Sequence, residues 1–180
     1  MNTIQLKDKK FELFIPESDI QAVIIRIAEQ IRKDMEGKNP LFVGILNGAF
    51  MFIADLMHQL NGPYELTFAR YSSYHGTSTT GMIQEIMPIK PPIKGRSLIL
   101  LEDIIDTGFT MHYVMDKLKK EGAQDVKLAT MLFKPDALQY DVKPDYVGLE
   151  IPNEFIVGYG LDYDELGRAY RDIYKIVEDY

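Results

Sequence analysis

Three observations predict that this chain adopts an α/β fold, a mostly parallel sheet of about five strands flanked by helices. Short apolar runs alternate along the chain with segments of helical period, the order that strand–crossover–strand units produce. Several runs, LFVGIL at 41–46 and SLILL at 97–101 among them, are close to continuously apolar, as strands covered on both faces are. The length, 180 residues, suits one domain that buries about two-thirds of its unfolded surface around a single core.

The elements follow in order. Ser18 to Gly37 reads as a helix: Ser18 and Gln21 have capping-box spacing, Ile20, Val23, Ile24, Ile27 and Ile31 share one face, and Gly37 is a stop. Pro40 precedes the first buried strand. Asn47-Gly48 after it is a hairpin signal in other settings. Here Phe50, Ile53, Ala54, Met57 and Leu60 recur at helical spacing, so the reading is strand, tight loop, helix. Glu65 to Tyr71 is a further strand, and the polar stretch SSYHGTSTTG that follows is a long loop of the kind that serves as a lid. Ile83 to Ile89 returns as a strand, and Pro91-Pro92 breaks the chain. Leu98 to Leu101 forms the next strand. Met111, Val114, Met115 and Leu118 form the apolar face of a helix from Thr110 to a stop at Gly122. Val126 to Phe133 and Asp145 to Glu150 complete the strands. No repeat or linker divides the chain, so residues 1–180 are read as one domain.

Composition narrows the function classes. There is no cysteine, which excludes disulfides, thiolate metal sites and a cysteine nucleophile. The formal charge of −7 and the lack of an extended basic patch argue against general nucleic-acid binding. No apolar run reaches the ~18 residues of a membrane span, and MNTIQLKDKKFELF lacks the apolar core of a signal peptide. The expected location is the cytoplasm.

The chemistry concentrates in SLILLEDIIDTGFTM, residues 97–111. In an open parallel sheet, ligands bind beyond the carboxyl ends of the strands. Glu102 and Asp103 stand where the buried run ends. Carboxylates only accept hydrogen bonds, so the pair suits hydroxyl groups or a hydrated divalent cation. Asp106-Thr107-Gly108-Phe109-Thr110 then turns into a helix. Backbone N–H groups at a helix start, two threonine hydroxyls and a glycine make an anion cradle of phosphate size. A sugar phosphate satisfies both ends. Taken singly, strand-end acids and a capping threonine have a bland explanation; the ordered set of three acids, two threonines and a glycine does not.

This stretch resembles the phosphoribosyl pyrophosphate (PRPP) signature of type I phosphoribosyltransferases. The likeness extends along nearly the whole chain to the hypoxanthine(-guanine) branch of that family. VGILNGAFMFIADL resembles its first pyrophosphate loop, RYSSYHGT its flexible loop, LFKP its base-recognition lysine segment and IPNEFIVGYGLDYDELGR its purine-covering segment. The implied fold adds a small hood over the base, from the N-terminal segment and roughly residues 134–180.

The resemblance implies a role for each matching residue. Glu102 and Asp103 hold the ribose hydroxyls, partly through Mg2+, and Asp106 manages the proton at purine N7 as general base. Asp106, Thr107, Gly108, Phe109 and Thr110 bind the 5-phosphate. Many relatives carry another residue at the Phe109 position, a change that a backbone-amide role tolerates. Lys134 donates to the purine 6-oxo group; an ammonium has only donors and cannot pair with the amino group of adenine. Phe155 stacks on the base and Ile156 reads its edge through backbone groups. Asp162 holds a second Mg2+. Asn47, Gly48 and Arg168 bind pyrophosphate, with Asn47 replacing a lysine common in relatives and so removing a positive charge from a peptide that can be cis. Ser73 and Tyr74 belong to the closing loop, and Arg70 reaches pyrophosphate across a subunit contact. Without the resemblance, Lys134 is a strand-end surface charge, Phe155 and Ile156 are core, and Asp162 and Arg168 belong to a charged tail.

The implied activity is purine salvage: transfer of the phosphoribosyl group from PRPP to N9 of hypoxanthine, and of guanine, with a homodimer or homotetramer as the assembly. The alternatives are a PRPP- or nucleotide-sensing regulator on the same fold and an enzyme for xanthine.

Overall fold

A computed structural model describes residues 2–74 and 82–177. In chain order the elements are β1 (Thr3–Leu6), β2 (Lys9–Ile15), α1 (Glu17–Asp34), β3 (Leu41–Leu46), α2 (Phe50–Leu60), β4 (Glu65–Tyr74) and β5 (Met82–Met87). They continue with β6 (Ser97–Ile105), α3 (Phe109–Lys120), β7 (Asp125–Phe133), β8 (Tyr146–Glu150), β9 (Ile156–Val157) and β10 (Ile173–Ile176).

The larger sheet has six strands in the order β5-β4-β3-β6-β7-β8. All neighbours pair in parallel except β5, an antiparallel edge on β4. Side-chain alternation in the central strands splits the core between two faces. Phe42, Ile99, Leu101, Ala129 and Met131 pack with α1 and α2, whose apolar stripes include Ile20, Ile24, Ile27, Phe52 and Leu56. Leu41, Val43, Leu98, Leu100 and Leu128 pack on the other face with Met111, Val114 and Leu118 of α3. Burial on both faces is why these strands read as continuous apolar runs.

Strand order reverses between β3 and β6: the chain leaves β3 toward β4 on one side, and β6 lies against β3 on the other. This is the topological switch point where open α/β sheets form a crevice beyond their carboxyl ends. The β3–β6 pairing stops at Gly44 and Leu101, whereas β6 stays paired with β7 as far as Ile105 and Phe133. Glu102 and Asp103 therefore lie inside a strand, not after one as the sequence suggested. The edge of β6 beyond Leu101 is unpaired by β3 and opens onto the crevice.

A second, antiparallel sheet has the order β1-β2-β10-β9. Its core is Ile4, Leu6, Phe11, Val157 and Tyr174. Strand β8 joins the larger sheet, so the smaller one takes from the C-terminal part only residues after 155.

The helix expected from Ser18 begins at Glu17 with Pro16 at its N-cap, and no capping box forms. Ser18 Oγ instead donates to Asp19 Oδ1 at 3.3 Å. The Glu17 N–H donates to Asp172 Oδ1 at 2.8 Å, an acceptor from the far end of the chain that replaces the local cap. The helix ends at Asp34, before Gly37. Strand β4 runs on to Tyr74, with Ser73 opposite Ile83 and Tyr74 opposite Met82. Ser73 and Tyr74 thus belong to a strand rather than a loop; the rest of the expected loop, 75–81, lies outside the described residues. Of the helix predicted from Thr110, the first residue is Phe109.

Candidate active site

The loop after β6 is built from its backbone outward. Gly108, at φ +81, turns the chain into α3, and a β-carbon there would come within 2.9 Å of Leu138 Cδ1. No side chain caps α3, and the closest approach is a long contact of 3.4 Å from the Phe109 N–H to Thr107 Oγ1. The first amides of α3 are therefore available to an anion. The Phe109 ring packs against Tyr140, with ring centroids 5.0 Å apart, which leaves its peptide to face the loop. Gln139 and Tyr140 donate backbone N–H groups to the Thr107 carbonyl, and Lys134 N–H donates to the Ile105 carbonyl. These bonds fasten the loop to the segment after β7.

Glu102, Asp103, Asp106, Thr107, Gly108, Phe109 and Thr110 line one pocket of about 250 Å3, joined from the loop after β3 by Asn47 and Gly48. Glu102 and Asp103 lie at its floor, partly reached by solvent yet surrounded by protein. Burial pushes the Glu102 carboxyl well above its usual range, and the neighbouring Asp103 adds to the rise. Burial also raises Asp103, against the opposing pull of its hydrogen bonds to Glu102 and the Ile104 N–H and of the Arg168 charge. Two neighbouring carboxyl groups that resist joint ionisation suit a cation or a set of hydroxyl donors.

Asp106 joins this pocket to a second feature. Its Oδ2 accepts from Lys134 Nζ at 3.2 Å. Lys134 is only 6% exposed, a buried ammonium and not the surface charge that its place after a strand would suggest. Its Nζ also lies 3.4 Å from Asn153 Oδ1.

A cleft of about 330 Å3 adjoins the pocket, lined in part by Asn47, Gly48, Arg70, Asp103, Asp162 and Arg168. Arg168 is held by three acceptors: Asp162 Oδ1 at 2.9 Å, Glu165 Oε2 at 3.2 Å and the Gly160 carbonyl at 2.9 Å. Asp162 Oδ2 accepts the Glu165 N–H. The cis bond stands between Leu46 and Asn47, one residue before the Asn47-Gly48 peptide named from the sequence. Two glycines let three segments stack: a β-carbon on Gly160 would strike the Gly48 carbonyl, and one on Gly48 would strike the Asp103 carboxylate.

Ile156 lies in the smaller sheet, and Phe155 immediately precedes its strand. Phe155 is 47% exposed, meeting Tyr163 edge-on at 6.0 Å and Phe11 at 6.2 Å, and so is not core. Ile176 N–H donates to the Phe155 carbonyl, which makes Ile156 and Lys175 a non-hydrogen-bonded pair. The Ile156 side chain is buried, while its own N–H and C=O point away from β10, along the sheet's open edge.

Sequence reasoning missed Tyr71, Glu165 and Asn153. Tyr71 lines both pocket and cleft, and its hydroxyl donates to Glu85. Nothing in local spacing marks any of the three.

The phosphoribosyl transferase domain family matches residues 17–164. A Lactococcus lactis hypoxanthine-guanine phosphoribosyltransferase is 42% identical over 160 residues, covering 88% of this chain and 87% of its own. A Staphylococcus aureus hypoxanthine phosphoribosyltransferase structure superposes with a TM-score of 0.87 at 36% identity, over 92% of this chain and 91% of that one. A Trypanosoma cruzi hypoxanthine phosphoribosyl transferase, studied for the role of its C-terminal region in oligomeric state and activity, gives a TM-score of 0.87 at 30% identity over 97% and 95% of the two chains. With this fold, this crevice and these relatives, the chain belongs to the phosphoribosyltransferases, in their hypoxanthine-guanine family.

Proposed function

We propose that the protein transfers the 5-phosphoribosyl group from PRPP to N9 of hypoxanthine or guanine, releasing pyrophosphate and forming the nucleoside 5'-monophosphate. The observation that carries the proposal is the position of Asp106, which lines the phosphate pocket and pairs with Lys134. A single residue thus joins a sugar-phosphate site to a buried donor suited to a 6-oxo group.

In this reading the α3 amides with Thr107 and Thr110 hold the 5-phosphate. Glu102 and Asp103 hold the ribose hydroxyls, and their negative field favours the positive charge that develops on the sugar as the anomeric bond to pyrophosphate breaks. Asp106 takes the purine proton as general base. Lys134 donates to the 6-oxo oxygen, Phe155 covers the ring, and the outward main-chain groups of Ile156 read its edge. Ser73 and Tyr74, at the end of β4, take part in covering PRPP, which keeps water out.

Mg2+ fits the acids present. Among the described residues no cluster of three or more His, Cys, Asp or Glu is poised to hold a metal. Mg2+ is commonly held by one or two carboxylates together with the substrate's own phosphates, and the neighbouring Glu102 and Asp103 offer such a pair. Glu102 and Asp103 would hold one ion, which when bound neutralises the pyrophosphate leaving group. Asp162 is tied to Arg168, so its part in a second site requires that pair to open; pyrophosphate, by drawing Arg168 toward Asn47 and Gly48, supplies the reason.

The assembly we propose is a homodimer or homotetramer. An apolar groove of about 380 Å3, with Leu46, Phe50, Ile53, Met57, Leu66 and Phe68 in its lining, adjoins the pyrophosphate loop, and Phe50 and Phe68 are over a third exposed. No helix among the described residues is long and apolar enough to cross a membrane; the location proposed is the cytoplasm. The whole chain is proposed to act as one domain.

The test mixes purified protein with PRPP, Mg2+ and each of hypoxanthine, guanine, xanthine and adenine, following nucleotide formation by absorbance. Turnover with hypoxanthine and guanine is expected. No turnover with any base would overturn the enzyme reading, and preference for adenine would overturn the role of Lys134.

A further inference from the structure

A buried ammonium needs acceptors for its three N–H groups, because each one left unpaired away from water is costly. Lys134 has little freedom to seek them. Its N–H is bound to the Ile105 carbonyl and its carbonyl accepts from the Ala137 N–H, so the main chain holds the residue on both sides. Two side-chain acceptors reach Nζ: Asp106 Oδ2 at 3.2 Å and Asn153 Oδ1 at 3.4 Å. They come from different parts of the fold, the loop after β6 and the segment after β8. Two of the three N–H groups are so engaged, and the third is left for a ligand.

The two acceptors differ in one respect. Asp106 is the group assigned to the purine proton, so its charge changes within the catalytic cycle. Asn153 is neutral and its amide oxygen accepts throughout. Its segment is also fixed: Ile151 N–H donates to the Phe133 carbonyl and Glu154 N–H to the Pro152 carbonyl. Two residues further on stands Phe155, the exposed ring over the base site.

From this geometry we propose that Asn153 is a positioning residue for base selection. Its side-chain oxygen holds the Lys134 ammonium in place while Asp106 handles the proton, so the remaining N–H stays aimed at the 6-oxo group of the base. The inference rests on the function proposed above. It predicts that what matters at position 153 is a side-chain oxygen of about this reach, whether amide or carboxylate.

Three variants test it beside the parent protein: Asn153→Ala, Asn153→Leu and Asn153→Asp. Position 153 is exposed, and thermal midpoints check that each variant is folded. For Ala and Leu, the KM for hypoxanthine should rise about tenfold and the ratio of hypoxanthine to adenine kcat/KM should fall, with the KM for PRPP unchanged. The Asp variant, which keeps an oxygen, should stay within about threefold of the parent in each. A local structural role alone would move PRPP and base constants together and would leave the base ratio unchanged, and that result overturns the proposal. So does an Asp variant as impaired as Ala, or an Ala variant like the parent. If the parent itself turns over no base, the proposed function fails, a result distinct from an active parent matched by its Ala variant.

Discussion

Gly48 and Asp103 are packed so closely that no side chain fits between them: a β-carbon at position 48 would fall on the Asp103 carboxylate. The loop after β3 and the strand β6 are therefore set against each other by the absence of one carbon. Gly48→Ala should displace either the loop or the carboxylate. The expected result is a loss of kcat/KM for PRPP of at least tenfold, with ~1–3 kcal/mol of stability lost to overpacking. Steady-state kinetics with PRPP varied, together with denaturant unfolding, measures both; an unchanged KM for PRPP would contradict the contact.

Asp106→Asn keeps the shape of the residue and an oxygen for Lys134 but removes the base. A positioned general base contributes about 10²–10⁴ in rate. The catalytic constant should fall by about that factor while PRPP affinity, measured by calorimetry, stays within a few-fold. A variant that retained its rate would remove Asp106 from its assigned role.

Lys134→Gln replaces a donor-only group with one that either donates or accepts. Losing a charge-assisted hydrogen bond should cost about ten- to a hundredfold in kcat/KM for hypoxanthine. Adenine, whose amino group Gln is able to accept, should lose less or gain. Competition between the two bases reports the ratio directly, and an unaltered ratio would show that selection lies elsewhere.

Glu102 is held above its ordinary value of 4.5 by burial and by Asp103. From that value up to its raised one, the native state retains a proton that the unfolded chain releases, so this group makes the free protein less stable as pH rises through the window. Glu102→Gln keeps an oxygen for the Asp103 N–H, 3.3 Å from Oε1, and removes the charge. At neutral pH the variant should melt ~2–4 °C higher than the parent and should bind Mg2+-PRPP more weakly. A lower melting point would mean that Glu102 is not a destabilising charge. The trade of stability for binding is common where function places like charges together.

Phe68 stands 38% exposed on the apolar groove beside the loop after β3. Phe68→Glu places a charge on that face. Sedimentation velocity should show the assembly of the parent shifted toward monomer; an identical distribution for the two proteins would move the interface to another surface.

The larger sheet was legible because its signals are local. The stripes of α2 and α3 and the doubly covered runs of β3, β6 and β7 each announce themselves within ten residues or so. The acids and threonines at 102–110 were legible by residue type. The smaller sheet was not: its strands are short and bring together Phe11 and Ile176, so no window of sequence contains the pattern. The start of α1 failed for the same reason, since its cap, Asp172, is distant in the chain. The extension of β6 through Glu102 and Asp103 follows from the reach of β7, a property of the partner strand. Lys134 could be located but its burial could not, because the residues that enclose it arrive from Asp106 on one side and Asn153 on the other.

The smaller sheet joins β2 to β10, and this has a consequence for how the protein is made. A chain growing from its N-terminus has all six strands of the larger sheet once residue 150 is synthesised, and with them the phosphate loop. Strand β2, however, must wait unpaired along one edge until β10 arrives. The end of the site assigned to the sugar is complete early in synthesis and the end assigned to the base only late. Under the proposed function, a message cut short between those points encodes the residues assigned to PRPP without the surface assigned to the purine.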